Sequence, residues 1–315
     1  MHTPDSQVVM RRILAMLSET SVHTGTGAQL GAVDLPIQRE RHTEWPTVYG
    51  TGLKGVLRDE AGRAEWDREK TAAVFGPETD KGEGGSERDR HAGALAISDA
   101  RLLLFPVRTV GYPFAWITCP LALARFRRDA AHAGIGNVPE VAEQPTRDQI
   151  VVPPSWSECD KGVLIEEFSY AAAKSPSLGK FGEWLSKNLL PSGTAYAYWR
   201  DLVTKALALV SDEDFRDFVR HGTEVVTRVR LEDGKKTVAP GALWTEEHLP
   251  SDTLLYSFIA AWRPSRNGEG LPSDAAGVLA ELSKLLVARP VVQVGGKETV
   301  GHGFVALRLT GGNHA

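Results

Sequence analysis

Residues 23–58 concentrate the residue types that handle phosphate. They carry Gly25, Gly27, Gly31, Gly50, Gly52 and Gly55, one carboxylate between apolar neighbours (Val33-Asp34-Leu35), the bases Arg39 and Arg41, and Lys54 inside the second glycine turn. Glycine lets backbone N–H groups approach an anion closely and supplies positive-φ turns that aim several of them inward. A carboxylate among such donors, with cations nearby, suits chemistry on a phosphate. A lone loop of this kind is more commonly a surface turn leading into a helix, with its aspartate bonded to local backbone.

Gly50-Thr51-Gly52-Leu53-Lys54-Gly55 also satisfies G-x-G-x-x-G, with Asp67 or Glu69 near the acidic position of a dinucleotide site. Pro46 makes the preceding segment a poor central parallel strand, and no βαβ alternation follows. Lys54, beside glycine amides and a helix N-terminus, suits a backbone phosphate better, with Thr51 and Arg58 flanking it. A second glycine loop runs from Gly295 to Gly303 (GGKETVGHG) and lacks the Lys-Ser/Thr of a Walker A loop. It reads either as a hairpin tip or as a second phosphate cradle built from Gly295, Gly296, Lys297, Thr299, Gly301 and Gly303. His23 and the trio Glu246-Glu247-His248 are further titratable groups, whose ordinary fates are a satisfied structural histidine and an exposed strand end.

The elements that must position these groups follow from periodicity. Residues 13–17 form an unbroken apolar run, a buried strand that empties into the first glycine loop. A helix starts near Leu53. Residues 94–107 read as a strand kinked at Ser98-Asp99, residues 114–118 as its partner, and Pro120 suits the first turn of a helix. Residues 194–210 read as a helix with Tyr198, Leu202 and Leu209 on one face, and Ser211 caps the next helix. Residues 225–231 alternate apolar positions with Arg228 and Arg230, and Asp233-Gly234 is a strong hairpin turn. Ser273 can cap a final helix that stops before Pro290, followed by a strand, the second glycine loop and a closing strand. With the inserts removed, the order strand, helix, strand, strand, helix, strand is the split βαβ, ferredoxin-like pattern. An antiparallel sheet of that kind is a common platform for single-stranded RNA.

Composition is that of a soluble globular chain: of 315 residues, 42% are apolar and 24% charged, with a net charge of −4. The acidic balance argues against a protein that grips duplex by bulk electrostatics, yet leaves room for a local basic groove. No apolar stretch is long enough to span a bilayer, and the first residues, MHTPDSQ, lack the layout of a signal peptide. Only Cys119 and Cys159 are present, too few for a disulfide framework or a cysteine metal site. A cytoplasmic protein without membrane partners is expected.

Four motifs taken together, GxxLGxVDLPIQRExHTxxP, GxxLKGxLR, LWxEExxPSDTLxYS and GGxETVGxG, occur in this order and span nearly the whole chain. They resemble the RNase backbone subunit of Cmr-type (type III-B) CRISPR effector complexes, within the RAMP superfamily. The resemblance implies an α+β fold: a single RAMP-type domain over residues 1–315, its ferredoxin-like (RRM-like) palm interrupted by a mostly helical insertion at 134–222, with a protruding β-hairpin thumb at 224–256. It implies a ribonucleoprotein whose copies stack as a filament on a guide RNA, beside other Cmr-type subunits, and cut complementary single-stranded target RNA at regular intervals. By motif match Asp34 corresponds to the catalytic aspartate, while His23 and Glu246 line the same site. His248 stands where some members carry tyrosine, and histidine's charge depends on pH. Arg39, Arg41, Thr51, Lys54, Arg58, Arg228, Arg230 and the C-terminal glycine loop fall to RNA binding.

Cleavage without a protein nucleophile needs a ribose 2′-OH in line with the adjacent phosphate, with Asp34 orienting the hydroxyl or holding a divalent cation, Mg²⁺ or Mn²⁺, and a histidine moving the proton. Two other readings compete: a non-catalytic guide-binding scaffold of the same architecture, and a nucleotide-cofactor enzyme.

Overall fold

The computed structural model describes residues 8–28, 31–77, 91–157, 162–235, 237–266 and 268–311. Most of the acidic stretch at 77–91, Cys159 and Lys236 lie outside the described residues. The fold is mixed α/β, with one large mixed sheet and seven α-helices among the described residues.

Strand β1 (Met10–Ser18) is the spine of the sheet. Its residues 13–17 are all essentially buried, because strands flank it on both edges and helices cover it. On one side it pairs antiparallel with β14 (Phe304–Thr310), which in turn carries β13 (Val291–Gln293). On the other it pairs antiparallel with β12 (Leu254–Ala261), which pairs with β3 (Leu95–Ile97) and β4 (Ala100–Val107). The break between β3 and β4 falls at Ser98-Asp99, as the sequence implies, and β4 also carries the short β2 (Thr47–Val48).

Three helices connect these strands. α1 (Gly50–Arg63) starts at the first glycine of the G-x-G-x-x-G pattern, so the pattern lies within the helix rather than in a strand-to-helix turn. The strand before it, β2, is antiparallel to β4, which removes the parallel βαβ unit that a dinucleotide site requires. Gly50 is required by packing: a Cβ there would lie 2.4 Å from the Ile97 carbonyl oxygen. Leu53 and Leu57 are fully buried from α1. α2 (Arg68–Phe75) follows, capped by Asp67. α7 (Ala275–Ala288) buries Val278, Leu279, Leu282, Leu285 and Leu286 at helical spacing, and its cap is Asp274 rather than Ser273.

β4 continues the sheet through β5 (Ala115–Thr118), and α3 (Pro120–His132) begins with Pro120 in its first turn. Residues 134–222 hold strands as well as helices. They hold β6 (Gln149–Val152), β7 (Val163–Ile165), β8 (Phe168–Lys174) and β9 (Leu207–Leu209) beside α4 (Pro176–Asn188), α5 (Ala197–Leu202) and α6 (Asp212–His221). The helix expected over 194–210 stops at Leu202. Leu207–Leu209 pairs in parallel with β5, its three residues fully buried, and an apolar run that short carries no period to distinguish strand from helix.

β10 (Glu224–Leu231) and β11 (Val238–His248) form a separate two-stranded ribbon, with Gly234 at φ +71° in its turn. The pairing ends at His248, so residues 254–256 belong to the large sheet rather than to the hairpin.

Candidate active site

The segment after β1 forms no regular strand; isolated bridges hold it in place. Val22 bridges Leu249, Gly25 bridges Ile37, and Leu35 lies parallel to Glu246. The Leu35 N–H donates to the Thr245 carbonyl, and its own carbonyl accepts from the Glu247 N–H. Asp34 is thereby laid against the base of the hairpin. Its Oδ2 accepts from the Thr245 N–H at 2.7 Å and from the Thr245 hydroxyl at 2.9 Å. These bonds, the backbone one first, hold the Asp34 carboxyl below the usual aspartate range. The side chain is exposed, and its Oδ1 has no hydrogen-bond partner among the described residues.

Alternation along β11 sends Glu246 and His248 to one side and Glu247 to the other. All three are buried, which overturns the reading of this trio as an exposed strand end. Glu247 accepts from Arg39 at 2.5 Å, from Thr223 at 2.7 Å and from the Ile37 N–H at 3.0 Å. Glu246 has no exposed surface, and its Oε1 accepts from Lys297 Nζ at 2.7 Å and Trp244 Nε1 at 2.6 Å. Arg228 Nε donates to its Oε2 at 3.3 Å. Burial alone would raise the Glu246 carboxyl, but the Lys297 and Trp244 bonds, with the charges of Lys297 and Arg228, take it down to about 2. Glu246 is therefore a fixed anion at neutral pH and cannot donate a proton.

His248 is fully buried, with Nε2 3.5 Å from Glu246 Oε2 and neither ring nitrogen hydrogen-bonded. Burial first, then the neighbouring His302 and His23, push it down to about 4, so it is neutral at physiological pH. His23 Nδ1 lies 2.7 Å from the Glu247 carbonyl oxygen. A carbonyl only accepts, so Nδ1 carries the proton and, in the neutral ring, Nε2 keeps its lone pair.

His23 lines a cleft of about 330 Å³ together with Gly25, Gln38, Tyr49, Gly52, Gly295 and Gly296. The first turn of α1 and the second glycine loop thus meet at one place. An added Cβ at Gly52 would touch nothing within 4 Å, so the helix backbone is open to a ligand there. Gly295 is at φ +87°, a Cβ on it would lie 2.3 Å from the His23 carbonyl oxygen, and the Gly296 N–H donates to that oxygen. The histidine and the glycine loop are locked together through backbone. Lys54, half-buried on α1, has its ammonium pushed below the usual lysine range by burial and then by Arg58.

The donor set does not fit a resident metal: no three histidine, cysteine or acidic side chains among the described residues converge as ligands. It fits the shared mode, in which a hard cation takes one carboxylate and completes its shell with phosphate oxygens and water. The open Oδ1 of Asp34 is the available ligand.

Residues 17–306 match the family model described as the RAMP superfamily. The chain belongs to the RAMP superfamily. It is homologous to the "CRISPR system Cmr endoribonuclease Cmr4" of Pyrococcus furiosus, 35% identical over 319 residues, covering 96% of this chain and 98% of that protein. Among solved structures, oligomeric Cmr4 from Pyrococcus furiosus superposes with a TM-score of 0.71 at 29% identity, covering 97% of this chain and all of that one (100%). The type III-B Cmr-beta complex bound to cognate target RNA includes a chain with the same fold, at a TM-score of 0.70 and 20% identity over 95% of this chain and 97% of that one.

Within this RAMP fold, His23, Glu246, His248, Arg228 and Lys297 gather at one place, with Asp34 one residue along through Thr245. Arg39 is turned inward, spending its guanidinium on Glu247 and on the carbonyls of Glu44 and Val219. Arg58 donates to the Gly76 carbonyl at 2.7 Å. Thr51, Arg41 and Arg230 are exposed, as are Thr299 and Gly301, whereas Gly303 is buried with φ +86°. Sequence reasoning missed Thr245, Trp244 and His302. Thr245 sits inside the LWTEE motif, but a strand threonine carries no mark of a long-range partner. No helix among the described residues is long and apolar enough to cross a membrane.

Proposed function

We propose that this chain is a guide-RNA-binding backbone subunit of a type III-B CRISPR ribonucleoprotein, and that its own copy of the site cuts complementary single-stranded target RNA. The observation that carries the reading is Asp34: an exposed carboxylate with one oxygen held and the other open, at the junction of hairpin and palm. Near full-length homology to a Cmr endoribonuclease supports the same activity. The strand order β14-β1-β12-β4, all antiparallel, with α1 after β1 and α7 after β12, supports a ferredoxin-like palm, and the β10–β11 ribbon supports a thumb. A single RAMP-type domain with the insertion at 134–222 and a cytoplasmic location go with this reading.

The reaction is attack of a ribose 2′-oxygen on the adjacent phosphorus, forming the 2′,3′-cyclic phosphate and breaking the bond to the 5′-oxygen of the next nucleotide, which takes a proton from water. A-form pairing keeps these atoms out of line, so the thumb's task is to displace a nucleotide. His23 Nε2, with its lone pair facing the cleft, takes the 2′-OH proton. Asp34 Oδ1 orients the hydroxyl or holds a divalent cation, which would supply charge neutralisation at the phosphate. Glu246 is buried and acts by holding Arg228 and Lys297, while His248 is buried and packs between the rings of His23 and His302. Lys54, the open turn of α1 and the glycine loop take guide phosphates.

A purified complex carrying this chain tests the proposal: it should contain a small guide RNA and cut matched but not unmatched target. Bound guide without any cutting would favour the non-catalytic scaffold.

A further inference from the structure

Three imidazoles line the base of the hairpin, His23 to His248 at 5.3 Å and His248 to His302 at 4.6 Å between ring centroids. His302 takes no part in the reaction above. It lies between Gly301 and Gly303, both at positive φ, in the loop between β13 and β14. Its Nε2 is 2.9 Å from Arg228 Nη2 and its Nδ1 is 2.9 Å from Ser21 Oγ. A guanidinium has only donors, so Nε2 accepts, and Nδ1 carries the proton and donates to Ser21.

The same guanidinium reaches Glu246 through Nε at 3.3 Å, and Glu246 binds Lys297 of the C-terminal loop at 2.7 Å. Hairpin and loop are thus tied twice, by Arg228–His302 and by Glu246–Lys297, around the unbonded ring of His248. Without the acceptor on His302, Arg228 keeps only the longer contact among the described residues and regains its rotamers. The guanidinium would then be free to leave the carboxylate it helps to compensate.

We propose that His302 is a positioning residue for target cleavage: it aims the Arg228 guanidinium at Glu246 and so fixes the base of the hairpin against the glycine loop beside His23. The inference rests on the target-RNA nuclease reading.

The test is single-turnover cleavage of guide-matched RNA by complexes assembled with variant chains, with guide content and target Kd measured in parallel. His302→Asn keeps a polar group for Ser21 but cannot reach Arg228, whereas His302→Gln can offer an amide oxygen where Nε2 was. His302→Asn should slow cleavage about tenfold or more, the scale of a lost charge-assisted bond, with target Kd and guide content within about twofold. His302→Gln should stay within about threefold of wild type. Combining His302→Asn with Arg228→Ala should add nothing to Arg228→Ala alone, because both remove one interaction. Wild-type cleavage by His302→Asn, equal impairment of both variants, failure of both to assemble, or effects that multiply in the double variant would each overturn the proposal. A wild-type complex that binds guide but never cuts matched RNA would instead remove the nuclease reading.

Discussion

Thr245 and Asp34 hold each other reciprocally: the threonine N–H and hydroxyl both reach Oδ2 of the aspartate, while the Asp34 N–H lies 3.0 Å from the threonine oxygen. An irregular loop is thereby registered against the strand that carries Glu246 and His248. Both Thr245 bonds fall on the same carboxylate oxygen, Oδ2. Thr245→Val keeps the shape and the backbone bond but loses the hydroxyl. Cleavage should fall about tenfold, the scale of one hydrogen bond to a charged group, and Thr245→Ser should restore it. Equal rates for the valine and wild-type complexes would remove Thr245 from the site.

Stability should fall in two acid windows. His248 is held down to about 4, against an ordinary value of 6.5, so below about pH 6.5 the unfolded chain takes a proton that the folded chain refuses until about pH 4. Stability is lost as pH falls through that range, by at most about 1.4 kcal/mol per pH unit. Glu246, held at about 2 against 4.5, contributes stability that is present above pH 4.5 and lost between there and about 2. Urea midpoints at a series of pH values check this: His248→Phe should flatten the upper window and leave the lower one.

Lys54 and Lys297 should separate, although both sit in glycine-rich turns. Lys54 has no ion-pair partner among the described residues, so Lys54→Ala should weaken guide retention and flatten its salt dependence by about one unit of log K per log salt. Lys297 compensates a buried carboxylate, so Lys297→Ala should cost about 3 kcal/mol of stability, and Glu246→Gln in the same chain should recover much of it. Salt titration of bound guide and thermal melts distinguish the two lysines.

A linear guide with repeated contacts calls for a head-to-tail interface that does not close on itself. Cleavage sites on a long matched target should therefore recur at one fixed spacing. Shortening the hairpin around residues 232–235 should abolish that regular pattern while the palm still folds. One cut position with several copies bound would contradict the filament.

Much of the scaffold was legible because local chemistry specified it. The apolar run of β1, Pro120 opening α3, Ser211 capping α6 and Asp233-Gly234 turning the hairpin each needed only neighbours in sequence. The site was legible as a set of motifs but not as a geometry. Arg39 reads from the sequence as an RNA-binding base, yet its partner Glu247 lies 208 positions away. His302 sits between two glycines with nothing local to mark it, and only the fold brings it to Arg228. Long-range polar pairs leave no period, so neither helical nor strand spacing can announce them.

The most direct measurement is target cleavage by a complex assembled with Asp34→Asn, which is isosteric, removes one charge and disturbs no core. Single-turnover rates on guide-matched RNA, in Mg²⁺ or Mn²⁺ and after chelation, should fall by about 10²-fold or more, on the scale of a lost acid–base group. Guide content and assembly should be unchanged. Cutting at the wild-type rate, at the same positions, would contradict the assignment of Asp34 and with it the active site described above.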